Sequence, residues 1–128
     1  MKQNRTILIV EDESPLRRAL RDKLTREGFD VSEAKNGVTG LAAAITDHPD
    51  LILLDIVMPK MDGITLLRQL RNTNDYGKTV PVIFLTNLTS ADEQRNQDMA
   101  ELEPSLYLVK SDWKIQDVVA KIRERLGE

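Results

Sequence analysis

Three acids in a row, Glu11, Asp12 and Glu13, follow a short apolar run, and a lone Asp55 closes another, Leu51 to Leu54. A hydroxyl at Thr86 and an amine at Lys110 stand in the same way at the ends of apolar stretches. Carboxylates gathered in one place repel each other, and a hard divalent cation with oxygen ligands relieves that repulsion. Mg2+, or Mn2+ in its place, is the natural candidate, because it takes one or two protein carboxylates together with waters and a phosphate oxygen. A carboxylate can also attack phosphorus to give an aspartyl phosphate, while the cation and a lysine offset charge on the transferred group. Asp55 is the best-placed nucleophile, provided that the fold brings these distant residues together.

The elements between them suggest that it does. Ile7 to Val10 is a β-rich run that stops at the acids, after which Ser14-Pro15 supplies an N-cap candidate and a helix-starting proline. Leu16, Leu20 and Leu24 recur at helical spacing, with Gly28 where a glycine would end the helix. Phe29 to Ala34 reads as a strand with Val31 inward, and Asn36-Gly37 opens a helix whose inner face carries Leu41, Ala42 and Ile45 and which ends at His48-Pro49. Leu51 to Leu54 is the third strand, Asp62 to about Arg71 the third helix, and Val80 to Leu85 the fourth strand. Residues 90 to 100 read as a weakly apolar helix, and Leu106 to Val109 as the fifth strand. Ile115, Val118, Val119, Ile122 and Leu126 mark the last helix.

Apolar strands alternating with helices imply an α/β fold, doubly wound, with a five-stranded parallel sheet covered on both faces. The expected order is 2-1-3-4-5, the flavodoxin-like (βα)5 sandwich. Ligands of such sheets bind outside the carboxyl ends of the strands. That rule brings Glu11, Asp12, Asp55, Thr86 and Lys110 into one crevice. Asp55 lies on the central strand, with acids on one side and Thr86 and Lys110 on the other.

The 128 residues match one domain, and no repeat or linker divides them. With 41% hydrophobic and 30% charged residues, the composition is that of a soluble globular protein. A net charge of -3 argues against direct nucleic acid binding, which usually needs a basic patch. The absence of cysteine rules out thiol catalysis and Cys-type zinc sites and fits a cytoplasmic location. No secretory signal and no membrane-length apolar run are expected. His48, the only histidine, is expected to be solvated, and Trp113, the only tryptophan, to pack on the sheet.

The segments ILIVEDE (7 to 13), LILLDIVMPKMDG (51 to 63), VIFLT (82 to 86) and YLVK (107 to 110), in this order and spacing, resemble the receiver domain of two-component response regulators of the chemotaxis-regulator kind. The resemblance runs over essentially the whole chain. It implies that Asp55 is the phospho-acceptor, Asp12 a direct Mg2+ ligand, Glu11 a ligand through water, and Val57 a ligand through its backbone carbonyl. Thr86 would hydrogen-bond one phosphoryl oxygen, Lys110 would pair with another, and Tyr107 would be the aromatic that reports phosphorylation. The implied partner is a sensor histidine kinase or a phosphotransfer protein carrying phosphohistidine. Such a domain catalyses its own phosphorylation and slow dephosphorylation but serves primarily as a signalling module. Phosphorylation would remodel the surface of the 90 to 100 helix, the fifth strand and the last helix. Two copies could pair through the same face, although only Trp113 and the weakly apolar helix point to it. No output domain is recognised within these residues.

Departures from the family pattern are also legible. Lys110 is followed by Ser111-Asp112 where many receivers have a cis proline, so a trans Lys110-Ser111 peptide is expected, with Ser111 or Asp112 capping the last helix. Asn87 replaces a small residue after Thr86, which crowds the path between Thr86 and Tyr107. Val57 and Leu88, both apolar, flank the site and cannot orient a water for attack on an acyl phosphate, so self-dephosphorylation should be slow. Two other classes stay open on the residues alone. One is a Mg2+-dependent phosphatase or phosphotransferase with an aspartyl nucleophile, although Val57 stands where such enzymes commonly place a general acid. The other is a receiver-like interaction module that is never phosphorylated, which the full acidic set argues against.

Overall fold

A computed structural model describes residues 4–86, 106–109 and 114–127. Its strands are β1 (Thr6–Val10), β2 (Asp30–Ala34), β3 (Leu51–Asp55), β4 (Val82–Thr86) and β5 (Leu106–Val109). The helices are α1 (Ser14–Arg26), α2 (Gly37–Asp47), α3 (Gly63–Arg71), a short α4 (Asp75–Thr79) and α5 (Ile115–Leu126). The sheet is parallel throughout and runs β2-β1-β3-β4-β5, the order expected.

Alternation along the strands divides the core into two layers, because successive side chains point to opposite faces of a sheet. Leu8, Val10, Ile52, Leu54, Val82 and Phe84 face one side, where Ala44 of α2 and Leu66, Leu67 and Leu70 of α3 cover them. Ile7, Ile9, Leu51, Leu53, Ile83 and Leu85 face the other side, under Leu20 and Leu24 of α1 and Val118, Val119 and Ile122 of α5. All five residues of β3 are buried, which explains why its sequence is a continuous apolar run. Each fully buried Leu or Ile contributes about 1.5 to 3 kcal/mol relative to exposure. The ends of β3 are thereby held rigidly.

Several boundaries differ from expectation. The N-cap position of α1 is Glu13, with Ser14 and Pro15 already inside the helix, and no side chain caps it. Gly28 does end α1, at φ 97°. On α2 Leu41 and Ile45 pack against the core as expected, but the inward alanine is Ala44, fully buried, while Ala42 is exposed. Phe29 belongs to the core but β2 begins at Asp30. Val80 is not part of β4 but the residue after α4, a helix that carries no apolar periodicity of its own. Arg71 holds α4 in place by donating from Nη1 to the carbonyls of Gly77 and Val80, both at 2.9 Å. His48 is exposed as expected, yet it is not merely solvated. Its ring stacks on Tyr76 of α4, with centroids 4.2 Å apart and planes within 9°. The cap position of α5 falls at Lys114, whose N–H donates to Asp117 at 2.8 Å, and not at Ser111 or Asp112. The 90 to 100 helix, the Lys110-Ser111 peptide, Asn87, Leu88 and Trp113 lie outside the described residues.

Candidate functional site

Register assembles the site. Val10, the last residue of β1, pairs with Leu54, so Glu11 and Asp12 leave β1 beside Asp55 at the tip of β3. A ligand oxygen from each of Glu11, Asp12 and Asp55 lies within 4.8 Å of the others. Glu11 is fully buried, Asp55 is 3% exposed, and Asp12 is open to solvent, so the cluster has a buried floor and one wet side. An all-carboxylate donor set of this size suits a hard divalent cation, which would offset the mutual repulsion and keep waters on the open side. The residues present therefore fit such an ion.

Local chemistry explains how each acid is held. Glu11 extends the ladder by donating its N–H to the Ala34 carbonyl at 3.0 Å, and its Oε2 accepts from the Glu13 N–H at 3.0 Å. Beyond Asp55 the chain turns away through Ile56, buried, and Val57, 53% exposed. Lys60 adopts φ 70° while the Met61 N–H donates to the Pro59 carbonyl at 2.8 Å, a tight three-residue turn. Asp62 then caps α3 by accepting from the Thr65 N–H at 2.8 Å. The turn is pinned from the far side as well, since a β-carbon on Gly37 would overlap the Met61 carbonyl.

On the other flank, Leu85 pairs with Asp55, and Thr86 is the next residue of β4, paired in turn with Val109. Tyr107 pairs with Phe84 one turn of pleat back from the strand ends. Thr86 thus stands by backbone register at the same carboxyl end of the sheet as Asp55. Lys110, the residue after β5, lies outside the described residues.

Arg17 was not singled out by sequence reasoning. It sits one turn into α1 and donates from Nη1 to the carbonyl of Glu11 at 2.9 Å. Its helical spacing from Ser14 was visible, but its acceptor is a backbone atom that no side-chain motif reveals.

The family model for the response regulator receiver domain matches residues 7–123. The chain belongs to that family. It is a receiver domain, a module of two-component phosphorelay signalling. Similar relatives include a probable transcriptional regulator, ycf27, of Porphyridium aerugineum, 35% identical over 124 residues that make up 97% of this chain and 49% of the relative. The response regulator MprA of Mycobacterium avium is 34% identical over 122 residues, 94% of this chain and 50% of that protein. This receiver domain therefore spans about half the length of the curated relatives it matches. Among solved structures, a CheY-like response regulator receiver domain protein from Methanospirillum hungatei superposes with a TM-score of 0.88 at 26% identity, covering 98% of this chain and 95% of that one. Among the described residues of the receiver, no helix is long and apolar enough to cross a membrane.

Proposed function

We propose that this receiver accepts a phosphoryl group on Asp55 from the phosphohistidine of a sensor kinase or phosphotransfer protein, with Mg2+ (or Mn2+) held by Glu11, Asp12, Asp55 and the Val57 carbonyl. One Asp55 carboxylate oxygen attacks phosphorus, the P–N bond to the donor imidazole breaks, and the electron pair stays on that nitrogen, which takes up a proton. A bound divalent cation supplies charge stabilisation for the transferred phosphoryl oxygens. Asp12, on the wet side, and Glu11, on the buried floor, orient that ion, while Asp55 reacts through its other oxygen. Thr86 donates to one phosphoryl oxygen and Lys110 pairs with another. Thr86 and Tyr107 then carry the change to the face of residues 90 to 100, β5 and α5, where a downstream partner or a second copy would dock. The compartment is the cytoplasm, in keeping with a cysteine-free chain.

The observation that carries this reading is the convergence of the three carboxylates within 4.8 Å at the carboxyl ends of two adjacent central strands. Incubation with acetyl phosphate and Mg2+ should add about 80 Da to the intact chain. The addition should need the cation and should vanish in Asp55→Asn. A chain that gains no mass from acetyl phosphate or from a phosphorylated donor protein contradicts the proposal.

A further inference from the structure

Arg17 spends all three of its donor groups around the acidic site. Besides the 2.9 Å bond from Nη1 to the Glu11 carbonyl, Nε donates to Glu33 Oε1 at 3.2 Å and Nη2 reaches Ser14 Oγ at 3.4 Å. The side chain is only 14% exposed. Glu33 is itself held from a second direction, because its Oε2 accepts from Arg21 Nη1 at 3.3 Å. One guanidinium thus joins α1, the edge strand β2 and the end of β1.

The peptide that Arg17 grips is the one linking Glu11 to Asp12, flanked on both sides by carboxylates of the cluster. The Glu11 N–H is fixed to β2 through Ala34, and the Glu11 carbonyl is fixed to α1 through Arg17. The first bond fixes the Val10–Glu11 peptide and the second the Glu11–Asp12 peptide, so together they hold Glu11 between them and set the direction in which Asp12 leaves. We infer that Arg17, braced by Glu33, is a positioning residue that presets Glu11 and Asp12 for a divalent cation. The inference rests on the reading of the carboxylate cluster as a cation site. Loss of an outer partner that orients metal ligands typically weakens affinity by about 10- to 100-fold.

The sign of the effect separates positioning from simple charge. As a nearby positive charge alone, Arg17 repels a cation, so its removal should tighten cation binding. As a positioning residue, its removal should weaken it. Lysine sharpens the contrast, since it keeps the charge but has no planar fork to span a carbonyl and a carboxylate at once.

The test is calorimetric Mg2+ binding by the unchanged chain and by Arg17→Met, Arg17→Lys, Glu33→Gln and Asp12→Asn, with thermal unfolding of each recorded beside it. The unchanged chain should bind Mg2+ saturably and Asp12→Asn should lose binding. Arg17→Met should weaken binding about tenfold. Arg17→Lys and Glu33→Gln should show smaller losses in the same direction without loss of fold, and they carry the test should Arg17→Met not fold. Affinity that is unchanged or tighter in the folded Arg17 variants would overturn the inference while Asp12→Asn still reports the cation site. No saturable binding by the unchanged chain would overturn both.

Discussion

Gly63 and the Asp55 carbonyl are in direct backbone contact: a β-carbon at residue 63 would overlap that carbonyl oxygen and come within 3.0 Å of the Ile56 Cα. The Gly63 N–H donates to the Ile56 carbonyl at 2.8 Å, so the first residue of α3 is pressed onto the end of β3. The helix that follows the acceptor therefore also fixes the acceptor's backbone. Gly63→Ala forces the two apart, and overpacking of this kind costs about 1 to 3 kcal/mol. Urea unfolding should show that loss, and the variant should take up phosphoryl groups from acetyl phosphate more slowly at equal Mg2+. Wild-type stability together with a wild-type rate would show that the contact yields without consequence.

The parts of the fold that a reader could take from the residues are those where burial is total. Ile7 to Val10 and Leu51 to Leu54 are apolar on both faces because both faces are covered, and the acids after them inherit their positions from those strands. Glu11, Asp12 and Asp55 were legible for that reason. The alanine run at 42 to 44 was not, because three small residues in succession do not show which of them turns inward. Helix α4 was hidden more deeply. Its five residues include Gly77, and it is held by distant groups, Arg71 on its carbonyls and Pro49 under the Tyr76 hydroxyl. Local propensity carries no trace of such bonds. Arg17 escaped for the same reason.

Val57, two residues past Asp55, presents an exposed apolar side chain that offers no hydrogen bond to a water approaching an acyl phosphate on Asp55. Val57→Asn should shorten the life of the phosphorylated form by a factor of several, well below the ~100-fold of a full general base. The decay of the phosphorylated fraction after removal of donor, followed by phosphate-affinity gel shift, measures it. Equal or slower decay in the variant would count against slow hydrolysis arising from the apolar side chain.

Tyr76 ties α4 to the start of β3, its hydroxyl donating to the Pro49 carbonyl at 2.6 Å. Tyr76→Phe should cost about 1 kcal/mol at neutral pH, the usual net worth of such a bond. Burial pushes the Tyr76 phenol well above its ordinary value, with Asp50 adding to the shift and Arg71 opposing it. The folded chain thus keeps a proton that the unfolded chain releases near the ordinary pKa of 10. This contribution is complete below that pH and declines as pH rises above it. Urea midpoints across the alkaline range should fall less steeply for Tyr76→Phe than for the unchanged chain. Parallel curves would show that another group governs the alkaline loss.

The claim on which the rest depends is that Asp55, and not another acid of the cluster, becomes the acyl phosphate. Borohydride reduces an aspartyl phosphate to homoserine and leaves free carboxylates untouched, so reduction after exposure to acetyl phosphate and Mg2+, followed by peptide sequencing, reads the acceptor directly. The account predicts homoserine at position 55 and unaltered aspartate at position 12. Homoserine at position 12, or aspartate retained at both positions after a phosphoryl group has been taken up, would contradict it.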